Sequence, residues 1–343
     1  MAPMGIRLSP LGVVVFCLLG VGVIYHLYAG VISSRIAALR QHRTVDLREL
    51  LALSVEAALQ GGREVRRVRE ENVFEKSKGK AKDGANERLT MANLCSHKKM
   101  YHLIKNTFPY LQVNAEQHPR VGAEETGAWS RVIPADLQPI GEGRAVAADD
   151  ITVWIDPLDA AHEYSENLQK YVTTMVCVAV NGIPIIGVIH KPFTDYTAWA
   201  LVGSGANVRA RSSYSARSPR VIVSRSHEGR ATRFIQTALG NHTQVHSAGG
   251  AGYKVLALLD PPVEQQERAD VYLHITYIQK RDVCAGNAIL RALGGHMTSL
   301  KGEQIDYSHS AGAANHGGVL ASVGLDHLAL LAKLQSADSR RER

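Results

Sequence analysis

The pattern of apolar and polar positions divides the chain into three stretches. Between Leu8 and Ser34 there is no Asp, Glu, Lys or Arg, and residues 11–32 are mostly Leu, Val, Ile and Gly. About twenty such residues in a helix cross a hydrocarbon core. The run is longer than the apolar centre of a secretory signal, and Arg7 is its only preceding charged side chain, so a membrane anchor is expected rather than a cleaved leader. Tyr25, His26 and Tyr28 near its end suit a membrane interface.

From residue 45 the spacing becomes helical. Leu47, Leu50, Leu51, Leu53, Ala57 and Leu59 predict a helix over 45–59, capped by Asp46 and stopped or kinked at Gly61-Gly62. Residues 63–72 continue it as a charged face, and 74–88, rich in Lys, Gly and acids, read as a loop. A second helix is predicted over 90–106 with Leu94, Met100 and Leu103 inward, then a short strand over 110–113 and a long loop over 118–150.

The third stretch holds short β-branched runs. Residues 151–155 form an apolar strand that stops at Asp156 and Asp159, with Pro157 forcing a turn between them. A helix is predicted over 161–170. Strands follow over 171–180, 185–190 and 197–202, the first two joined by the hairpin signal Asn181-Gly182, and 206–219 is polar loop. Beyond it, strands at 220–223, 245–246, 271–275 and 319–323 alternate with helices at 230–238, 253–259, 282–293 and 327–334. Such alternation implies packed layers of α and β elements. The organisation read from this is a tail (1–10), an anchor (11–32), a stem (33–45), a body (46–335) in two halves meeting near residue 215, and a polar tail (336–343).

Composition changes this picture little. Charged residues are 21% and apolar ones 45%, as in ordinary globular proteins. The net charge of +7 favours anionic partners, but much of it sits in 63–88 and in Arg340-Arg341-Glu342-Arg343, which read as solvated faces. No interleaving of aromatic and basic residues points to a nucleic-acid polymer. The four cysteines show no metal or redox spacing. Cys17 lies in the anchor, Cys177 in a buried strand, and Cys95 and Cys284 read as free thiols; no bridge follows from sequence.

The chemistry centres on Asp156-Pro157-Leu158-Asp159-Ala160-Ala161. Two carboxylates and the Leu158 carbonyl are oxygen ligands suited to a hard cation such as Mg²⁺, and a helix start beside them offers amides to phosphate. Asp-x-x-Asp alone reads first as a helix N-cap. With Glu116 in Asn114-Ala115-Glu116-Gln117, the run Gly249-Gly250-Ala251-Gly252-Tyr253-Lys254, and Asp282-Val283-Cys284-Ala285-Gly286, all in order, the motif resembles the Mg²⁺-dependent, lithium-sensitive inositol monophosphatase superfamily over residues 46–335.

That resemblance implies an α/β (α+β) fold, the α-β-α-β-α sandwich, preceded here by one transmembrane helix. It implies phosphoric monoester hydrolysis with two or three Mg²⁺ ions. Glu116, Asp156 and the Leu158 carbonyl would hold one ion, and Asp156, Asp159 and Asp282 another; the amides of Ala160 and Ala161 would hold phosphate. Ser224, His227, Gly250, Lys254 and Asp282 match the substrate-binding residues of the family's bisphosphate nucleotidases, which implies a small phosphorylated nucleotide, adenosine 3′,5′-bisphosphate, as substrate. Inositol monophosphatases place a carboxylate near His274 to grip ring hydroxyls; a charged His274 could not accept in that way, which makes inositol phosphate a lesser candidate.

Several positions depart from the family. Its Thr after the Gly/Ala of the central motif is here Ala161, and its Asp that works with that Thr to deprotonate water is here Asn93. Gln117 stands where a second Glu is frequent, and Arg281 where Trp is frequent, beside Asp282. Weakened catalysis is expected, and a catalytically dead, membrane-tethered nucleotide- or metal-binding protein is the alternative. The resemblance allows a homodimer and implies a body in the Golgi lumen. Counting Arg35, Arg40 and Arg43 after the anchor against Arg7 before it mildly favours a cytosolic body, but the lumenal body is the expectation kept. Asn241-His242-Thr243 is the single Asn-x-Ser/Thr sequon, a glycan acceptor if lumenal.

Overall fold

The computed structural model describes residues 10–41, 43–77, 85–115, 129–138, 140–141, 143–260 and 267–341. The apolar N-terminal run forms α1 (Pro10–Gln41). Its Pro10–Val31 segment has a mean hydropathy of 2.2 and buries nothing against the rest of the chain, and it is long and apolar enough to cross a membrane.

The body begins with β1 (Thr44–Asp46) and α2 (Leu47–Ser77). Asp46 caps α2 as expected, its Oδ1 accepting from the amides of Arg48 and Glu49 at 2.8 and 3.0 Å. The helix runs unbroken through Gly61-Gly62, where a stop or kink is predicted. These glycines serve close packing. A Cβ on Gly61 would lie 2.5 Å from Met100 Sδ of α3 (Ala85–Thr107), and one on Gly62 2.4 Å from His190 Cδ2. The loop predicted over 74–88 is correspondingly shorter, because its first residues finish α2 and its last begin α3; 78–84 lie outside the described residues.

There follow β2 (Gln112–Asn114), β3 (Ala145–Ala147), β4 (Ile151–Asp159), α4 (Ala161–Ser165), β5 (Thr173–Val180), β6 (Ile183–Lys191), β7 (Tyr196–Leu201) and β8 (Gly205–Ala206). β3 pairs with β1, and the others form one sheet in the order β2-β4-β5-β6-β7-β8. Asn181 and Gly182, at φ 49° and 76°, make the β5–β6 hairpin turn. The helix predicted over 161–170 ends at Ser165, since Asn167 adopts φ 63° and leaves the right-handed region. The second half comprises β9 (Arg220–Ser224), α5 (Glu228–Leu239), β10 (Gln244–Ala248), α6 (Ala251–Leu256), β11 (Val271–His274), β12 (Ile278–Gln279), α7 (Lys280–Ala292), β13 (His296–Thr298), β14 (Ala314–Asn315), β15 (Val319–Ser322) and α8 (His327–Arg341). Its sheet has the order β10-β9-β11-β15-β13, and β12 pairs with β14.

Side-chain alternation assigns the layers. Val153, Ile155, Val176 and Val178 share a core with α2 and α3, while Trp154, Met175 and Cys177, one position out of step, share another with α6 and α7. Ile222, Tyr272 and Ala321 of the second sheet close that core from the other side. Val221, Val223, Val271 and Leu273 face away from it, onto α5 and α8. The order α2/α3, sheet, α6/α7, sheet, α5/α8 is the expected α-β-α-β-α sandwich. The middle layer is dense at Gly187 of β6, where a Cβ would lie 2.2 Å from the Ala285 carbonyl of α7.

Cys177 and Cys284, one expected to be merely buried and the other a free thiol, are disulfide-bonded, with Cα atoms 5.7 Å apart. The bridge joins β5 to α7 across a separation of 107 residues. Sequence could not reveal it because only the packing of α7 on the sheet brings the two together.

Burial in this frame carries a pH consequence. His190, 2% exposed, shares a 2.9 Å hydrogen bond through Nδ1 with Thr197 Oγ1. Its burial lowers the imidazole pKa from 6.5 to about 4. The unfolded chain therefore takes up a proton near pH 6.5 that the folded one refuses until about 4. Stability from this group is complete above that window and declines as pH falls through it. Thermal melts from pH 7 to 4 are expected to show this decline, and His190→Gln to flatten it; an unchanged slope in the variant would assign the decline to other groups.

Candidate active site

The central motif is built differently from a simple strand end. β4 continues through Pro157 to Asp159, with a register shift against β5: Asp156 lies opposite Met175, and Asp159 opposite Thr173. Three steps on one strand thus match two on the other, the mark of a one-residue bulge, where Pro is tolerated. In a regular strand, residues three apart point to opposite faces. The extra residue puts Asp156 and Asp159 on the same face, the one toward α6 and α7. Ser96 of α3 holds the bulge, donating from Oγ to the Pro157 carbonyl at 2.7 Å.

Asp159 is densely bonded. Oδ1 accepts from its neighbour Ala160 N at 2.9 Å; Oδ2 accepts from Gly252 N at 2.8 Å and Thr173 Oγ1 at 3.2 Å. One carboxylate thereby caps α6 from across the sheet. The Ala160 amide, expected to face phosphate, is turned to this carboxylate, and Ala160 itself adopts φ 63° as N-cap of α4. Asp156 is 4% exposed, and its one described amide contact is Leu158 N at 3.4 Å. Its carboxyl is pushed well above the ordinary range by burial and then by the charges of Asp159 and Asp282. Asp159 is also raised by burial, with Lys254 and the surrounding amides opposing.

Asp282 sits inside the first turn of α7, whose N-cap is Gln279, so it does not serve as the cap. Arg281 Nε lies 3.6 Å from Asp282 Oδ1, a contact in which the arginine competes with any cation for that carboxylate. Glu116 and Gln117 lie outside the described residues, and among those described no three Asp, Glu, His or Cys side chains close on one point. The chemistry of the trio nevertheless fits a divalent cation. Burial and the charges of Asp159 and Asp282 raise the proton affinity of Asp156, and a cation would relieve that repulsion as a proton does.

A cavity of about 600 Å³ opens beside these acids. Asp159, Asp282, Lys254 and Tyr272 line it together with Gly249, Gly250, Ser224 and His274. Gly250 cannot be replaced freely: its φ is +64°, and a Cβ would lie 2.7 Å from the Tyr171 carbonyl and 3.0 Å from Asp159 Oδ2. Lys254, 3% exposed, donates from Nζ to the Ala248 carbonyl at 3.3 Å. Burial lowers its pKa to about 8, against the pull of Asp159, Glu163 and Asp282.

The outer end is set by a histidine. His274 Nε2 lies 3.0 Å from the Tyr277 carbonyl, which can only accept, so this nitrogen carries the proton. Nδ1 is then bare and takes the Ser224 hydroxyl hydrogen at 3.0 Å. Burial lowers the His274 pKa to about 4, so the ring is neutral and the condition considered from sequence, a charged ring, does not arise. Both ring nitrogens are engaged, Nε2 with the Tyr277 carbonyl and Nδ1 with the Ser224 hydroxyl. The exposed His227 lies at the rim, its ring centre 6.0 Å from that of His274.

Asn93 lies on α3 one turn before Ser96 and so beside the bulge. Ala161 packs in a small cluster with Ala92 and Leu158, which places the two substituted positions on neighbouring elements. Sequence reasoning missed two members of the site. Glu163 pairs with Arg225 at 3.2 Å and occupies the space a Cβ on Gly249 would need, at 2.4 Å. Tyr272 lines the inner cavity. The β-strand alternation of Tyr272 with His274 was the available signal for the second; nothing local distinguished the first.

A sequence profile of the inositol monophosphatase family matches residues 46–336. The chain belongs to the inositol monophosphatase family. It is 65% identical over 336 residues to inositol monophosphatase 3 of Danio rerio, covering 97% of this chain and 98% of that one. It is 55% identical over 352 residues to the Golgi-resident adenosine 3′,5′-bisphosphate 3′-phosphatase of Homo sapiens, again covering 97% and 98%. Among solved structures it superimposes on inositol monophosphatase II from Staphylococcus aureus with a TM-score of 0.61 at 16% identity, covering 85% of this chain and 96% of that one. This family member is thus a phosphoric monoester hydrolase by kinship, of a generally Mg²⁺-dependent class. Golgi-resident relatives and an N-terminal helix able to span a membrane accompany that assignment.

Proposed function

We propose that this family member removes the 3′-phosphate of adenosine 3′,5′-bisphosphate, giving AMP, with a weakened general base. The observation that carries the reading is the polarity of the 600 Å³ cavity, with acids at one end and a buried ammonium, Lys254, beside them. Such an arrangement takes a polyanion whose charge is balanced by divalent cations. The names of relatives at 55% identity add support.

Glu116, Asp156, the Leu158 carbonyl, Asp159 and Asp282 would hold two or three Mg²⁺ ions. When bound, these ions offset phosphate charge and make coordinated water acidic. The protein's own part is to orient and bind. Lys254 and His227 attract the second phosphate, Gly250 permits close backbone approach, and Ser224 offers its lone pairs to a donor group of the ligand, because its hydrogen is committed to His274. The amide of Ala161 remains a candidate phosphate donor. Neither Asn93 nor Ala161 can take a proton from water.

The body is proposed to be lumenal, as one unit over 46–335. A buried disulfide fits an oxidising compartment and not the cytosol. Asn241, on an exposed turn between α5 and β10, is reachable for glycosylation. Lithium sensitivity and a homodimer are carried as family expectations. The full chain in detergent, with Mg²⁺, is expected to release phosphate from adenosine 3′,5′-bisphosphate slowly but faster than from inositol 1-phosphate. Equal or faster release from the inositol ester would overturn the substrate assignment. Binding of the bisphosphate without any release would favour the second reading, a membrane-tethered binding protein, which the substitutions at Asn93 and Ala161 keep in view.

A further inference from the structure

We infer that the Cys177–Cys284 disulfide, with the Trp154–Tyr307–Asn287 hydrogen-bond clasp beside it, is a positioning device that sets the separation between the strand carboxylates and Asp282. The inference rests on the proposed ligand set, for which it supplies the missing mechanical link. Asp156 and Asp159 belong to one sheet, and Asp282 to a helix of the second half of the chain.

The registers show how the link is made. Cys177 lies directly across from Trp154, two residues before Asp156 on the same face of β4. Cys284 follows Asp282 by two residues on α7. Both cysteines are essentially buried, at 1% and 0% exposure. The covalent bond thus ties α7 to β5, the strand paired with β4, within two residues of the acids along β4 and along α7. The clasp repeats the connection. Trp154 Nε1 donates to the Tyr307 carbonyl at 2.9 Å, and Asn287 Nδ2 of α7 donates to Tyr307 Oη at 3.0 Å. Gly187, with no side chain, lets α7 settle onto the sheet, and a Cβ on Gly286 would lie 2.5 Å from Val255 Cγ2 of α6 in the same layer. Two tethers and two close approaches leave α7 little freedom to move toward or away from β4. The acids repel one another, so an untethered α7 would relax outward in the absence of a cation. Loss of a partner hydrogen-bonded to a metal ligand costs about 10–100-fold in metal affinity, and a displaced Asp282 is expected to cost a comparable amount.

The test uses full-length protein in detergent and two variants of graded severity. Cys177→Val with Cys284→Ala removes the bridge while roughly preserving volume. Tyr307→Phe removes only the hydroxyl that Asn287 reaches. Mg²⁺ affinity by calorimetry and melting temperature are measured on each, with Leu334→Ala on the remote α8 as a control for stability alone. The expected result is a loss of Mg²⁺ affinity of about 10–100-fold without the bridge and a smaller, severalfold loss for Tyr307→Phe. Leu334→Ala should melt lower yet bind Mg²⁺ as the intact chain does. Should the bridge variant melt lower with unchanged Mg²⁺ affinity, or should Tyr307→Phe bind as tightly as the parent when the bridge variant fails to fold, the positioning role is overturned. An intact protein that binds no Mg²⁺ would overturn the ligand set and this inference together, whereas loss confined to the variants leaves the ligand set standing.

Discussion

Replacing Asn93 with Asp and Ala161 with Thr in the same chain is expected to raise phosphate release from adenosine 3′,5′-bisphosphate by at least about tenfold, and by as much as about 10⁴-fold. A positioned general base contributes about 10²–10⁴ in rate, and in the proposed reading the present side chains do not supply it. An amide oxygen is a far weaker base than a carboxylate, and a methyl group cannot orient water. The structure adds that both changes fall within one locality. Ser96, one turn after Asn93, bonds the Pro157 carbonyl, and Ala161 packs against the small cluster that includes Ala92 and Leu158. Because the two positions act as one unit, either single variant should recover much less than the pair. The measurement is the rate of phosphate release at saturating Mg²⁺ for parent, singles and double. Brisk release by the parent, matched by the double, would remove the idea of an impaired base.

The second large effect concerns Asp156→Asn, and its two readouts move in opposite directions. The Asp156 carboxyl is buried and pushed upward by its own desolvation and by two neighbouring carboxylates, so without a cation it weakens the fold when ionised. A folded-state pKa above the unfolded value means that stability is fully present at low pH and is lost as pH rises through the window between them. The isosteric amide removes that charge. The metal-free variant should therefore melt at or above the parent near neutral pH. Added Mg²⁺ should raise the melting temperature of the parent and leave the variant where it is, because a ligand that binds only the native state stabilises it by mass action. A variant that melts lower than the parent and still gains as much from Mg²⁺ would show that Asp156 is not a ligand.

Much of the element order was legible from periodicity, and the reasons for the failures are specific. Gly61-Gly62 reads as a break because glycine weakens isolated helices, yet α2 passes through it, since Met100 and His190 need that space. Pro157 reads as a strand end because it has no amide to donate, yet a bulge absorbs it and the strand continues. The 161–170 helix was overestimated because composition does not show that Asn167 takes a positive φ. In each case a long-range contact or a local backbone excursion overrode propensity.

The site divides in the same way. Which residue types stand at the proposed metal, base and nucleotide positions is a property of the linear string, and so are the apolar N-terminal segment and the presence of Asn93 and Ala161 where the family has Asp and Thr. The meeting of those residues is not. That Asp156 and Asp159 share a face depends on a single inserted residue in β4, and that Asp282 stands near them depends on α7 being bolted to β5 by a bridge between residues 107 apart. Likewise the neutral state of His274, and hence the polarity of Ser224, follows from burial and from the Tyr277 carbonyl. Local order is encoded by neighbours a few residues away, whereas charge state, facing and distance arise from packing between elements remote in the chain.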